Sequence, residues 1–158
     1  MRYARRGWQG IMKILIDTNV IIDYLVDRIP FADYAERVLE LCMSGEIEGF
    51  LTASAVTDIY YILKKVVGGE KTLEAIRTLC NVLDIADVGK ADILGAMELD
   101  MPDHEDALAA QCAKRIRADC IVTRNIADFI SSPVPAKEPA VFLRQFDAGI
   151  QGGIQEDD

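Results

Sequence analysis

A chain of 158 residues has the length of one domain and is long enough to bury a single hydrophobic core. Its composition, 51% hydrophobic and 27% charged residues, is that of an ordinary globular protein, and no apolar run approaches the roughly 20 residues that a membrane span needs. The net charge of −9 argues against a surface that coats nucleic acid, although metal ions could neutralise acidic residues that crowd into one pocket.

The cysteines and the histidine do not suggest a zinc site. The four cysteines are far apart along the chain, and there is one histidine, His104. Structural zinc is held by closely spaced Cys and His ligands, so such a site is not expected. His104 adjoins a predicted helix cap and is expected in solvent. Buried core thiols are expected at Cys42, Cys80, Cys112 and Cys120.

The two ends of the chain differ in composition from its middle. The first residues, MRYARRGWQGI, are basic but lack the long apolar segment and the cleavage site of a secretory signal. Because Met12 opens a better strand than Met1, we expect residues 1–11 to form a leader outside the fold and residues 12–147 to form the domain. Residues 148–158, Gly-rich and acidic, are expected to be a disordered tail. The protein is expected in the cytoplasm, away from membranes.

Strands and helices alternate along the chain with short connections. In chain order, the predicted elements are strand Met12–Ile16, helix Asn19–Val26, helix Phe31–Met43, strand Phe50–Thr52, helix Ser54–Val67, helix Lys71–Leu83, strand Ile85–Val88, helix Lys90–Leu99, a helix beginning near Asp103, strand Cys120–Thr123 and helix Pro139–Phe146. This alternation predicts an α/β fold, a three-layer α/β/α sandwich with a mostly parallel central sheet.

Polar residues follow two of the predicted strands at the points where the strands end. Asp17 comes directly after the first strand, and Thr123, Arg124, Asn125 and Asp128 lie at or after the end of the fourth. Ligands of parallel sheets bind beyond the carboxyl ends of the strands, so these side chains are expected at one edge. A buried carboxylate without a partner is costly, and Asp17 therefore requires a polar partner, water or a cation.

Two further acids have two interpretations each. Asp58, on the helix after the second strand, is either a solvated charge in an early turn or a member of the pocket. Asp106 lies in the first turn of its helix, where Asp103 can be the N-cap and acids favour the helix dipole. A helix that crosses fully before the fourth strand is expected to begin at the opposite edge, so Asp106 reaches the pocket only if its helix enters beside the carboxyl edge.

Two other acids are expected to face solvent. Asp23 and Asp27 lie four residues apart on the first helix, which places them on one helix face. Charged residues at this spacing are typical of a solvated face, and neither is assigned to the pocket.

Two stretches of sequence resemble a known family. ILIDTNVIIDYL, Ile14–Leu25, joins an apolar strand to Asp-Thr-Asn. DHEDALAAQCAKRIRADCIVTRNIADF, Asp103–Phe129, joins an Asp-Ala-Leu helix to a strand that ends in Thr-Arg-Asn and is followed by Asp-Phe. In this order and spacing they resemble the signatures of PIN-domain proteins, the ribonuclease fold that includes VapC-type toxins. The resemblance extends from about Met12 to Phe146.

The resemblance implies a pocket of acids that binds metal. Asp58 takes the place of the family's usual Glu and is one methylene shorter, and either Asn125 or Asp128 can be the fourth member. The catalytic and metal-binding residues implied are Asp17, Asp58, Asp106 and Asp128, supported by Asn19, Thr123, Asn125 and Asp103.

The function implied is hydrolysis of RNA phosphodiester bonds with Mg²⁺ or Mn²⁺, because oxygen-only ligands suit these hard cations. The resemblance further implies a toxin held inactive by a small antitoxin protein, and a homodimer. Two alternatives remain: a non-catalytic PIN-like scaffold, and a metal-dependent phosphotransfer domain. The latter is weaker, because it would require a second Asp at position 19, which is Asn19.

Overall fold

The computed structural model describes the backbone of residues 10–154 and the side chains of residues 10–150. Its strands are β1 (Met12–Ile16), β2 (Ile47–Thr52), β3 (Asp84–Ala86), β4 (Cys120–Val122) and β5 (Ala136–Lys137). They form one sheet in the order β3-β2-β1-β4-β5, and every neighbouring pair is parallel. β1 therefore lies at the centre of the sheet, between β2 and β4.

Helices connect the strands. They are α1 (Thr18–Leu25), α2 (Ala32–Met43), α3 (Ala53–Val67), α4 (Gly69–Val82), α5 (Lys90–Met97), α6 (His104–Arg115) and α7 (Pro139–Ile154), with a short 3₁₀ helix at Ile126–Phe129. Parallel strands need such crossovers, because the chain must return to the amino edge before each new strand. The predicted α/β fold with a parallel sheet is confirmed.

Apolar clusters on both faces of the sheet hold the layers together. Successive side chains of β1 point to opposite faces. Ile14 and Ile16 belong to a large cluster with residues of α1, α2 and α7, whereas Leu15 belongs to a smaller cluster with Ala110 and Ala113 of α6. Helices thus cover both faces, and the predicted three-layer arrangement is present.

The C-terminal helix is longer than predicted. The expected end was near Phe146, but α7 continues to Ile154, so residues 148–154 of the expected disordered tail are helical. Ile150 packs against the same core cluster as Phe142 and Phe146, which extends the apolar stripe by one turn. Residues 1–9 of the expected leader and residues 155–158 of the expected tail lie outside the described residues.

The cysteines follow the expectation with one exception. Cys42, Cys112 and Cys120 are buried, whereas Cys80 is exposed on α4, next to the buried Leu79. Burial raises the pKa of the Cys42 thiol to about 12, as expected for an inert core residue. In the part of the chain that is described, no helix combines the length and the hydrophobicity of a membrane span.

Candidate active site

Asp17 lies where β1 ends and α1 begins. Its side chain is the N-cap of α1, because Oδ1 accepts a hydrogen bond from the Thr18 N–H at 2.8 Å. Its own N–H donates to the Val122 carbonyl at 2.9 Å, which joins the carboxyl end of β1 to that of β4. One carboxylate oxygen is therefore committed to the helix, and Oδ2 remains for contacts across the sheet edge.

Two of the predicted supporting residues contact that second oxygen. Oδ2 of Asp17 accepts hydrogen bonds from the Thr123 hydroxyl at 2.8 Å and from Asn19 Nδ2 at 3.2 Å. The fully buried Thr123 hydroxyl in turn accepts from Asn19 Nδ2 at 3.3 Å and from the Asn125 N–H at 3.1 Å. The Asp17 carboxylate is thus held in one orientation by groups from both strand ends.

α6 brings Asp106 to the same edge of the sheet. The sequence suggested that a helix crossing fully before β4 begins at the opposite edge, and that expectation is wrong. β4 is parallel to β1 and starts at the amino edge, so a helix that leads into it must run back from the carboxyl edge. Asp106, in the first turn of α6, therefore lines a small open cleft together with Asp17 and Thr52.

The acids of the cleft repel one another. Burial first, and then the charges of Asp103, Asp17 and Asp128, raise the pKa of Asp106 to about 6. Burial also raises the pKa of Asp17, and Asp128 adds to this, although hydrogen bonds from Thr123 and Thr18 offset part of the rise. Within the described residues, no Lys or Arg forms an ion pair with Asp17 or Asp106.

The two candidates for the fourth site residue are placed differently. Asp128 lies on the 3₁₀ helix after β4, close enough to Asp17 and Asp106 for its charge to raise the pKa of both. Asn125 is exposed and contributes its main-chain N–H to Thr123. The arrangement favours Asp128 as the fourth member, because its charge acts on both Asp17 and Asp106.

Asp58 reaches the site through a residue that the sequence did not single out, Glu105. A hydrogen bond that the protonated Glu105 carboxyl donates to Asp58, followed by burial and by the charges of Asp58, Asp103 and Asp106, raises the pKa of Glu105 to about 7. Glu105 lines the cleft beside Asp106. Its position directly before Asp106 in the first turn was a signal that could have been used. Asp103 caps α6 by accepting from the Asp106 N–H at 2.9 Å.

The sequence as a whole matches a known protein family. The family model for the PIN domain matches residues 13–127, which are most of the chain. The chain belongs to the PIN-domain family. It is similar to Ribonuclease VapC1 of Aquifex aeolicus (strain VF5), with 29% identity over 108 residues, which are 65% of this chain and 74% of that protein.

Solved structures share the fold of this PIN domain at low sequence identity. VapBC2 from Rickettsia felis, bound to a DNA fragment from its promoter, has a TM-score of 0.64 and 20% identity over 80% of this chain and 98% of the other. VapC20 from Mycobacterium tuberculosis, a Sarcin-Ricin loop cleaving toxin, has a TM-score of 0.56 and 14% identity over 68% and 86%. At these identities the likeness shows the fold.

Asp23 of this PIN domain does not face solvent as expected. Its side chain is 1% exposed and forms a two-pronged ion pair with Arg124, with Nε–Oδ2 at 2.5 Å and Nη2–Oδ1 at 3.1 Å. The partners are 101 positions apart, so no local pattern in α1 could have indicated the pairing. Asp27 is exposed, as expected.

The oxygen donors of the cleft fit a hard divalent cation bound partly through water. Among the described residues, no three acidic, cysteine or histidine side chains stand in a ready-made metal cage. The charge of Asp128 nevertheless acts on both Asp17 and Asp106, and within the described residues neither of these two acids is paired with a Lys or Arg. Mg²⁺ usually keeps several waters and needs only one or two carboxylates from the protein, so these residues suit it.

Proposed function

We propose that this PIN domain is a divalent-metal-dependent endoribonuclease that hydrolyses RNA phosphodiester bonds. The observation that carries the proposal is the meeting of Asp17 and Asp106 at the carboxyl edge of the sheet, where the charge of Asp128 raises the pKa of both and neither has a cationic partner among the described residues. The similarity to Ribonuclease VapC1 supports RNA as the substrate.

The residues that would hold Mg²⁺ or Mn²⁺ are Asp17, Asp106 and Asp128, with Asp58 acting through Glu105. When bound, the ion would supply Lewis-acid chemistry at the phosphate and would activate water. Asp106, with a pKa of about 6, is ionised at neutral pH and can bind a cation. Asn19 and Thr123 keep Oδ2 of Asp17 in place, and Glu105, whose pKa is raised to about 7, can donate a hydrogen bond to Asp58.

The substrate contact is expected to be local. A net charge of −9 disfavours a broad RNA-binding surface, so the RNA would be drawn to the cleft by the bound cation. No histidine base is required, which agrees with the exposed position of His104. We place this reaction in the cytoplasm.

We further propose that the chain is the toxin of a toxin–antitoxin pair and forms a homodimer. Several solved structures with this fold are complexes of that type, including a toxin-antitoxin complex from Klebsiella pneumoniae with a TM-score of 0.61 and 22% identity over 80% of this chain. Large apolar side chains are exposed on α3 to α5, which is compatible with a protein interface; they include Tyr61, Val66, Leu73 and Met97.

Replacing Asp17 by Asn tests the nuclease. Asn is also a good N-cap and preserves the shape of the side chain, so α1 should remain folded. RNA cleavage in Mn²⁺ should fall at least about 100-fold and should match the residual rate of the wild type in EDTA. Asp84→Asn is the control, because Asp84 is exposed at the amino end of β3, on the far edge of the sheet. Undiminished cleavage by folded Asp17→Asn protein would overturn the proposal in favour of a scaffold.

A further inference from the structure

We propose that Asp23 and Arg124 are positioning residues that orient the Asp17 carboxylate through the side chain of Asn19. The inference rests on the proposed nuclease function, in which Asp17 binds the cation. Neither Asp23 nor Arg124 lines the cleft, and both act on Asp17 indirectly, through hydrogen bonds.

The side chain of Arg124 is held on several sides. Both oxygens of the buried Asp23 accept from its guanidinium, a planar fork that matches a carboxylate and that an ammonium cannot replace. The guanidinium carbon lies 4.4 Å from the centre of the Phe31 ring, and Arg28 adds a second, looser contact to Asp23 at 3.5 Å. Because a buried charge cannot be left unpaired without large cost, this pairing fixes Arg124 against α1.

The main chain of Arg124 then decides which way the Asn19 amide faces. Its N–H donates to Oδ1 of Asn19 at 3.3 Å. The two ends of a carboxamide have almost the same shape, but only the oxygen can accept this hydrogen bond. Nδ2 is therefore turned towards Asp17 Oδ2, at 3.2 Å, and towards the Thr123 hydroxyl, at 3.3 Å. With the amide reversed, an oxygen would face the carboxylate and repel it.

α1 provides both attachment points from one face. Asn19 and Asp23 are four residues apart, so they lie one above the other on the helix. The first receives the main-chain N–H of Arg124, and the second receives its side chain. Arg124 follows the end of β4, where the last sheet hydrogen bond runs from the Thr123 N–H to Lys137. Beyond that bond the sheet no longer holds the main chain in place, and the ion pair between Arg124 and Asp23 holds it instead.

A second buried aspartate–arginine pair provides a matched control. Asp92 is 4% exposed and bonds Arg115 Nε at 2.9 Å, joining α5 to α6. Neither residue lines the cleft around Asp17. Asp92→Asn therefore removes a comparable ion pair without touching Asn19.

The experiment compares Asp23→Asn, Arg124→Lys and Asp92→Asn in the full chain. The side-chain amide signals of Asn19 are followed by ¹H–¹⁵N NMR in metal-free protein and are assigned by their loss in Asn19→Ser. RNA cleavage is measured with saturating Mn²⁺, so that kcat and KM are separated. In Asp23→Asn and Arg124→Lys, the Asn19 signals should shift and kcat should fall about tenfold with little change in KM. In Asp92→Asn, the signals and kcat should stay as in the wild type.

Each result has a defined meaning. Unchanged Asn19 signals in the folded Asp23 and Arg124 variants, or an equal loss of kcat in Asp92→Asn, would overturn the inference. Should Asp23→Asn fail to fold, Arg124→Lys decides, because it keeps a cation beside Asp23 and loses only the fork. If the wild type cleaves no RNA, the proposed function fails, whereas the Asn19 signals of the metal-free variants still test the orientation of Asp17.

Discussion

The buried and half-buried acids of this PIN domain fall into two groups with opposite surroundings. Asp23 and Asp92 are buried, and each is paired with an arginine. Asp17 and Asp106 instead share a cleft with other acids and have no ion-pair partner within the described residues. The fold therefore compensates the charges that join its elements and leaves uncompensated those that face the cleft.

The pKa values show the physical consequence. Burial alone would raise the pKa of Asp92, but hydrogen bonds from Gly89 and Arg115 outweigh it and keep the pKa below its ordinary value. For Asp106, burial and neighbouring acids act in the same direction, and the pKa rises to about 6. Ionising the cleft acids thus costs stability in the metal-free protein, as is common where a site is arranged for binding rather than for folding.

The largest difference in cleavage and in Tm is expected between two single variants, one that neutralises a cleft acid and one that neutralises an arginine-paired acid. Asp106→Asn should lower RNA cleavage at least about 100-fold, and it should raise the Tm of metal-free protein because repulsion is relieved. Asp92→Asn should retain cleavage and lower the Tm, since losing a charged hydrogen-bond partner costs about 1–3 kcal/mol. Cleavage assays in Mn²⁺ and thermal unfolding in EDTA measure both. Shifts of Tm in the same direction would contradict the division into two groups.

A smaller effect is expected at Asp58, which joins the cleft only through Glu105. Asp58→Ala removes the partner of Glu105 and should lower cleavage about tenfold at fixed Mn²⁺. Asp58→Glu restores the length of the family's usual residue and should be neutral or beneficial. Circular dichroism checks folding in both. Full activity in folded Asp58→Ala protein would assign Asp58 to the surface and leave the cleft with at most three of the predicted acids.

Most of the fold followed from local patterns. The apolar strand before Asp17 and the apolar stripe of α3 were sufficient to place these elements, and Gly68, at φ 83°, ends α3 as its position after Val67 predicted. The two-residue strand β5 was missed because Ala136–Lys137 is too short to show any periodicity. The last turns of α7 were not predicted because glycines disfavour a helix, whereas in the structure Ile150 packs against the core and the helix continues to Ile154.

The site followed less completely, because its members come from distant parts of the chain. Asp17 and Thr123 could be placed from the ends of two strands. The position of Asp106 depends on the direction of α6, which is fixed by the parallel pairing of β1 and β4 and is opposite to the predicted direction. The link between Glu105 and Asp58 and the burial of Asp23 depend on how α6, α3 and β4 come together, and no spacing within a single element contains that information.

A further comparison separates the two candidates for the fourth position. Asp128→Asn removes a charge that acts on both Asp17 and Asp106, so Mn²⁺ affinity should fall about tenfold. Asn125→Ala leaves the main-chain N–H to Thr123 in place and should change the affinity little. Calorimetric titration of each metal-free variant with Mn²⁺ measures the difference. Loss of affinity in the Asn125 variant alone would assign the fourth position to Asn125.

The smallest effect is expected in the pH dependence of stability without metal. A raised carboxyl pKa means that the folded state binds protons more tightly than the unfolded state. For Asp106 the window runs from the ordinary 3.8 to about 6, and for Glu105 from 4.5 to about 7. These two groups therefore make stability fall as pH rises from about 4 to about 7. The Asp92 carboxyl changes stability in the opposite direction, since its lowered pKa makes stability rise with pH, and this change lies below the window of Asp106 and Glu105.

In EDTA, the Tm should thus decrease by a few degrees between pH 5 and pH 7.5, and Asp106→Asn should flatten the decrease whereas Asp92→Asn should keep it. Mn²⁺ should raise the Tm more at pH 7.5 than at pH 5, because only ionised carboxylates bind it and binding stabilises the folded state. Differential scanning calorimetry over this range measures both slopes. A Tm that rises steadily to pH 7.5 in EDTA, with the same slope in Asp106→Asn, would show that the cleft acids are not the uncompensated group.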